Sequence, residues 1–110
     1  MRMWNVNPQY MCNKHLLGEH LEMHMFAGSI KKGTKLDGFV AKGLVDTDNI
    51  KPRHDALAAE MMERGMRHST PMAQAPVIKR QVSVDHKASL TELLRRCVHC
   101  RMRHSRATAE

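Results

Sequence analysis

The stretch from Asn7 to about Lys32 constrains the fold of this chain most. It contains no proline after Pro8, and its apolar residues recur near the spacing of an α-helix. These residues are Met11, Leu17, Leu21, Met25 and Ile30. The sequence therefore predicts one long N-terminal helix as the spine of the protein. Gly28 is a candidate for its end, because glycine weakens a helix interior.

Two further helices are predicted downstream. Pro52 suits the first turn of a second helix whose interior, Arg53 to Arg64, is rich in good helix formers, and Gly65 suits its C-terminal stop. Ser89 and Glu92 have the spacing of a capping box at the start of the last helix. The apolar face of that helix consists of Leu90, Leu93, Leu94 and Cys97. The basic tail beyond Cys100 is expected to fray.

The connecting segments contain most of the glycine and proline. Gly33, Gly38 and Gly43 indicate turns, with a short helix around Leu36 to Lys42. Ser69 to Pro76 is predicted to be a loop, and Val77 to Val84 an extended segment or short strand. We therefore predict an all-α fold over residues 1–110: a single domain of about three helices with irregular loops.

Composition limits the core and the range of partners. Leu, Ile, Val and Phe make up only 21 of 110 residues, so the ten methionines are expected to fill much of the core. The net charge of +7 and pI near 9.8 favour a polyanionic partner, although a solvated basic surface would give the same numbers. Aromatic residues are too few for a single-strand stacking platform, so double-stranded DNA is the expected partner.

The chain shows no signal for a membrane or for secretion. No stretch approaches the roughly 18 apolar residues of a membrane span, and the N-terminus lacks the apolar core of a secretory signal. Its three cysteines, an odd number, agree with a reducing compartment. We expect a cytoplasmic protein of a bacterial or phage-infected cell, monomeric and without membrane contact.

One face of the first helix carries chemically useful side chains. His15, Glu19, Glu22 and Phe26 follow one another at offsets of four, three and four. Two carboxylates and an imidazole on one surface suit catalysis, but an ordinary polar face turned to water has the same spacing. His20 and His24 form a second pair four residues apart, which without a third ligand favours a solvated pair over a metal site.

Met1-Arg2 followed by His15-Leu16-Leu17-x-Glu19-x-x-Glu22 resembles the phage pyrimidine-dimer DNA glycosylase and AP lyase family (endonuclease V type). A second block, Arg53-x-x-x-Leu57-x-x-Glu60-x-x-x-Arg64-Gly65, is similar to that family's second core helix. The resemblance covers roughly residues 1–67 and makes them the glycosylase-like core. Residues 68–110 are an unmatched C-terminal extension with a CxxC helix.

The resemblance implies a catalytic pair. The family's α-amino group attacks the sugar C1′ of the damaged nucleotide and forms an imine after base loss, and ungapped alignment places Met1 on that nucleophile. Glu22 falls on the essential glutamate, which stabilises positive charge at C1′ and shuttles a proton during β-elimination. An α-amine titrates near pH 7.7–8, so a useful fraction is neutral and nucleophilic at pH 7. We expect Met1 to be retained, because methionine aminopeptidases act poorly before a bulky residue such as Arg2.

The resemblance also implies DNA contacts. Arg2 and His15 are expected to bind phosphates or the opened sugar. Arg53, from the second block, is expected to contact DNA as well. Leu21 and Met25 occupy positions where the family often has arginines that bind phosphates. The lesion that this chain recognises is therefore either the dimer or another damaged base. The side chains that could replace that charge are His20, His24, Lys31, Lys32 and Lys35.

The C-terminal CxxC is a weak zinc signal. Cys97 and Cys100 are followed by His104, and a fourth ligand would have to come from elsewhere, with Cys12 and His86 available. We expect no required cofactor, with reduced thiols at a helix end. Two alternatives stay open: a non-catalytic, zinc-containing small DNA-binding protein, and a phage interaction protein that keeps the fold without the activity.

Overall fold

Five α-helices and one 3-10 turn form the regular structure of the chain in a computed structural model that describes residues 1–67, 71–72 and 84–109. The elements are the 3-10 turn Pro8–Tyr10, α1 Asn13–Lys31, α2 Asp37–Ala41, α3 Ile50–Glu63, α4 His86–Arg96 and α5 Val98–Thr108. None of the described residues lies in a strand, so the predicted all-α class is confirmed. No helix within the described ranges is long and apolar enough to cross a membrane.

The long first helix is confirmed, but it begins later than predicted. Pro8–Tyr10 forms a separate turn, capped by the Asn7 side chain, which accepts a hydrogen bond from the Gln9 N–H at 3.0 Å. Helix α1 starts only after Cys12, whose Sγ accepts the His15 N–H. The helix then continues through Gly28 and ends at Lys31. Gly33, just after the C-cap Lys32, adopts the left-handed φ of 77°.

The two C-terminal helices differ from the prediction. The cap of α4 is Asp85, which accepts the N–H groups of Lys87 and Ala88, while Ser89 is buried inside the helix. The predicted capping box was therefore wrong, because a better acceptor lies one turn earlier. The prediction of a fraying tail was also wrong: Cys97 caps a further helix, α5. The short helix α2 and the unpredicted α5 bring the α-helices of the described residues to five, against about three predicted.

Helices α2 and α3 agree with the prediction, and two other predicted segments lie mostly outside the described residues. Helix α3 ends where expected, with Gly65 at φ 74°, and the predicted short helix near Leu36 is α2. The extended segment predicted for Val77 to Val84 lies outside the described residues except for Val84. The loop predicted for Ser69 to Pro76 is described only at Pro71 and Met72.

The core forms where α1 packs on α3 and the N-terminal segment packs beside them. Its fully buried side chains include Met3, Met11, Leu16, Met23, Phe26, Leu57 and Met61. Methionine thus supplies much of the packing, as its abundance predicts. The Met3 N–H donates to the Leu44 carbonyl at 2.6 Å, and Trp4 and Val6 are buried. The hydrogen bond to Leu44 ties the start of the chain to the segment that follows α2.

Candidate functional site

A cavity of about 290 Å³ opens where the N-terminal segment meets α1 and the end of α4. Its lining consists of Met1, Arg2, Trp4, Lys14, His15, Gly18, Glu19, Glu22 and Arg96. Met1, Arg2, His15 and Glu22, which were predicted to be catalytic or DNA-binding residues, therefore meet in one place. The α1 residues reach it together because they follow one another at intervals of about one helical turn.

Glu22 is in direct contact with the start of the chain. Its Oε2 accepts the backbone N–H of Arg2 at 3.4 Å. Burial raises the pKa of Glu22, and this rise is partly offset by the Arg2 hydrogen bond and by the positive charge of the chain terminus. Met1 and Glu22 both line this cavity, so the chain terminus and the Glu22 carboxylate share one site.

Arg2 is packed rather than freely solvated. Its guanidinium carbon lies 3.8 Å from the centre of the Trp4 ring, and Nη2 donates to Ser89 Oγ at 3.3 Å. Burial and the neighbouring Arg96 lower the pKa of Arg2 from its ordinary value, although an arginine remains charged at neutral pH. Among the described residues no acceptor reaches the buried Nε of Arg2.

Arg53 does not enter the cavity. It is buried, with Nε 2.6 Å from Glu19 Oε2 and Nη2 2.9 Å from Oε1, and Nη1 donates to the Val6 carbonyl at 2.7 Å. This bidentate pair joins α1 to α3 beneath the cavity. The alternative of a polar face turned to water is therefore wrong, because Glu19 and Phe26 on that face are buried.

The predicted lysines lie elsewhere. Lys31, Lys32 and Lys35 are exposed at the C-terminal end of α1 and the turn after it, at least nine residues past Glu22. That separation is about 13 Å or more along the helix axis, so they do not join the cavity.

Sequence reasoning missed two cations of the cavity. Lys14 lies eight residues before Glu22, so the helical period alone would have found it. Arg96 comes from the end of α4, where it also lies 5.3 Å from the Trp4 ring centre. No local pattern identifies Arg96, because its position depends on how α4 packs. Burial, with help from Lys14 and Arg96, lowers the pKa of His15, which keeps its imidazole neutral at physiological pH.

The histidine pair of α1 is not solvated. His20 is buried, and His54 from α3 adds a third imidazole, all three offering ring nitrogens within 4.8 Å of one another. The prediction of a solvated pair was wrong because the third member comes from another helix. Leu21 and Met25, where the family often has arginines, are about half exposed.

The CxxC motif belongs to a second cluster. His104 packs edge-on against Tyr10 with ring centres 4.6 Å apart, and it is not part of the cluster. The atoms that do come within 4.8 Å of one another belong to Cys12, His15, Cys97 and Cys100. His104, which the sequence offered only as a weak zinc candidate, therefore lies outside the cluster that contains Cys97 and Cys100. His15 takes part in both the cavity and this cluster.

Comparison with known proteins identifies the family. Residues 1–74, about two thirds of the chain, match the family described as pyrimidine dimer DNA glycosylase. The match is slightly longer than the resemblance seen in the sequence. No curated protein and no solved structure matches the chain. The chain therefore belongs to the pyrimidine dimer DNA glycosylase family, a family of DNA repair enzymes that act on DNA.

Proposed function

We propose that this glycosylase removes one base of a pyrimidine dimer in double-stranded DNA with the α-amine of Met1 as nucleophile, and then cleaves the strand as an AP lyase. The observation that carries the proposal is the shared cavity of Met1 and Glu22, where the backbone N–H next to the amine donates to the carboxylate. An amine and a carboxylate in one small cavity are the minimum set for imine chemistry on a sugar.

The first reaction step replaces the base by the amine. The neutral Met1 nitrogen forms a bond to C1′ while the glycosidic bond breaks. The electron pair of the glycosidic bond goes to the base, which takes up a proton from solvent and stays joined to the other pyrimidine of the dimer. Positive charge develops at C1′ and O4′, and the Glu22 carboxylate stabilises that charge. Opening of the sugar ring then transfers a proton to O4′ and leaves an iminium between Met1 and C1′.

The second step breaks the strand. A base removes a proton from C2′, the iminium accepts the electrons, and the 3′ phosphate leaves as the C3′–O bond breaks. Glu22 suits this proton transfer, because burial brings its pKa closer to neutral pH. Water then hydrolyses the imine and regenerates the amine.

DNA is held by the cations around the cavity. Arg2, Lys14 and Arg96 lie beside the catalytic pair, and the charge of Glu19 is already balanced by Arg53. We infer that these three cations hold the phosphates that flank the lesion, and that neutral His15 donates a hydrogen bond. The exposed Lys31, Lys32 and Lys35 extend the positive surface along the duplex.

The test is reductive trapping on defined duplexes. The protein is incubated with borohydride and a duplex that carries a single pyrimidine dimer, a single abasic site, or no lesion. We expect a covalent complex with the first two duplexes and none with the third, and strand cleavage at both lesions when borohydride is omitted. Trapping on abasic DNA alone would refute the dimer specificity. Trapping on neither would refute the enzyme proposal in favour of a DNA-binding or inactive relative.

Gly18 is expected to keep the cavity open at a cost in stability. It lies in the middle of α1, lines the cavity, and an added Cβ would meet no atom within 4 Å. Gly18→Ala should therefore stabilise the helix by up to about 1 kcal/mol, while the new methyl group lowers kcat/KM for dimer excision. Urea unfolding and excision kinetics measure the two effects.

Gly28→Ala is the matched control. Gly28 is also a helical glycine of α1 with no atom within 4 Å of an added Cβ, but it does not line the cavity. Gly28→Ala should stabilise the helix by the same amount and leave kcat/KM unchanged. Equal activity of the Gly18 and Gly28 variants would contradict a role of this cavity in catalysis.

A further inference from the structure

We propose that the chain binds one structural zinc ion in a closed Cys3His site formed by Cys12, His15, Cys97 and Cys100. The site shares His15 with the catalytic cavity, and its other three ligands lie outside the residues that line that cavity. It joins the family-matched residues 1–74 to the C-terminal helices. The proposal does not depend on glycosylase activity, because it concerns what holds the C-terminal helices in place.

The distances between the ligand atoms fit a tetrahedral ion. Cys12 Sγ lies 3.2 Å from His15 Nδ1 and 3.8 Å from Cys97 Sγ, and Cys100 Sγ lies 3.7 Å from His15 Nδ1. All four ligand atoms are within 4.8 Å of one another. A tetrahedral zinc with bonds of about 2.0–2.3 Å sets its ligand atoms about 3.4–3.8 Å apart. The side chains therefore need little movement to bind the ion.

Backbone N–H groups already point at all three sulfurs. Cys12 N–H donates to Cys100 Sγ at 3.3 Å, Cys100 N–H to Cys97 Sγ at 3.3 Å, and His15 N–H to Cys12 Sγ at 3.5 Å. Hydrogen bonds from amides stabilise thiolates, the form that binds zinc. Three thiols that only filled space in a core would not need a donor each.

Two helix N-termini face the same cluster. Cys12 is the N-cap of α1 and Cys97 the N-cap of α5. One zinc ion with three thiolates carries a net charge of −1, and the positive ends of the two helix dipoles stabilise such a centre. Four protein ligands would fill the tetrahedral coordination of zinc. Cys12, Cys97 and Cys100 are buried and His15 is half-buried, so no coordination position is left open to solvent. This closure is typical of structural zinc.

A zinc ion at this place also determines what His15 offers the cavity. If Nδ1 binds the metal, the proton of the neutral ring is on Nε2, which then serves as a hydrogen-bond donor. The ion would also fix α4, and with it Arg96, relative to α1. The metal bonds would thus join the C-terminal helices to the start of α1, across the 85 residues that separate Cys12 from Cys97.

The test measures metal content and ligand type directly in the full-length protein. We expect about one zinc per chain by mass spectrometry after purification, or after refolding with zinc. Replacement by Co²⁺ should give the intense visible bands of tetrahedral coordination and a sulfur-to-cobalt charge-transfer band. Cys100→Ser should weaken zinc binding at least about a hundredfold in competition with a chelator, because even lost second-shell partners cost about 10–100-fold.

Two controls make the assignment specific. His99→Asn changes an exposed residue between the two cysteines, and His24→Asn changes the histidine cluster of α1 and α3. Both should keep the zinc and the cobalt spectrum. The proposal is overturned if folded protein binds no zinc, if zinc is lost with His24 rather than Cys100, or if cobalt gives a spectrum without sulfur ligation. Should Cys100→Ser fail to fold, the cobalt spectrum of the unmodified chain still decides.

Discussion

Glu22→Gln is expected to reduce dimer excision by about 10²–10⁴-fold while leaving the protein at least as stable as before. The loss follows because an amide can neither offset charge at C1′ nor transfer the proton. It would still accept the Arg2 N–H, so the cavity keeps its shape. Excision kinetics and thermal unfolding of the same preparation measure the two effects.

The stability effect should depend on pH. Burial raises the pKa of Glu22 in the folded chain, so folding favours the protonated carboxyl group. The free energy of unfolding therefore falls as the pH rises through that pKa. The amide of the Glu22→Gln variant does not ionise. The variant should therefore match the original protein in acid, where Glu22 is protonated, and be more stable than it at neutral pH. Retained activity, or lower stability at neutral pH, would contradict this description of Glu22.

Arg53→Met is expected to destabilise the protein by about 3–5 kcal/mol, a large part of the 5–15 kcal/mol typical of a domain of this size. The substitution leaves the Glu19 carboxylate buried without its cation. The desolvation of an uncompensated charge, rather than a lost DNA contact, dominates the effect. Denaturant unfolding gives the magnitude.

The double variant Glu19→Gln, Arg53→Met provides the control. It removes both charges, so it should recover much of the stability lost in the single variant. If Arg53→Met instead leaves stability unchanged and weakens binding to duplex DNA, Arg53 contacts DNA as the family resemblance implied.

The helical period predicted the part of the site that lies on one helix. The interval from His15 to Glu22 places both on the face of α1 that borders the cavity. Lys14 shares this period but was not among the predicted site residues. The helical period could not show that Glu19 is buried, because the cation that pairs with Glu19 comes from α3.

Tertiary packing supplied what the sequence could not. Cys12 meets Cys97 across 85 residues, and Arg96 reaches the cavity only because α4 packs beside the N-terminal segment. Local signals also misplaced helix starts: Ser89 fits a capping box, yet Asp85 caps the helix and Ser89 accepts a hydrogen bond from Arg2. In each case a competing partner decided the outcome.

We propose that the α-nitrogen of the chain attacks the damaged nucleotide beside Glu22. Mass spectrometric mapping of the residue that borohydride links to the dimer-containing duplex tests this attack most directly. The DNA remnant should be found on the N-terminal peptide, attached to the nitrogen of Met1. Attachment to a lysine side chain such as Lys14 would contradict it.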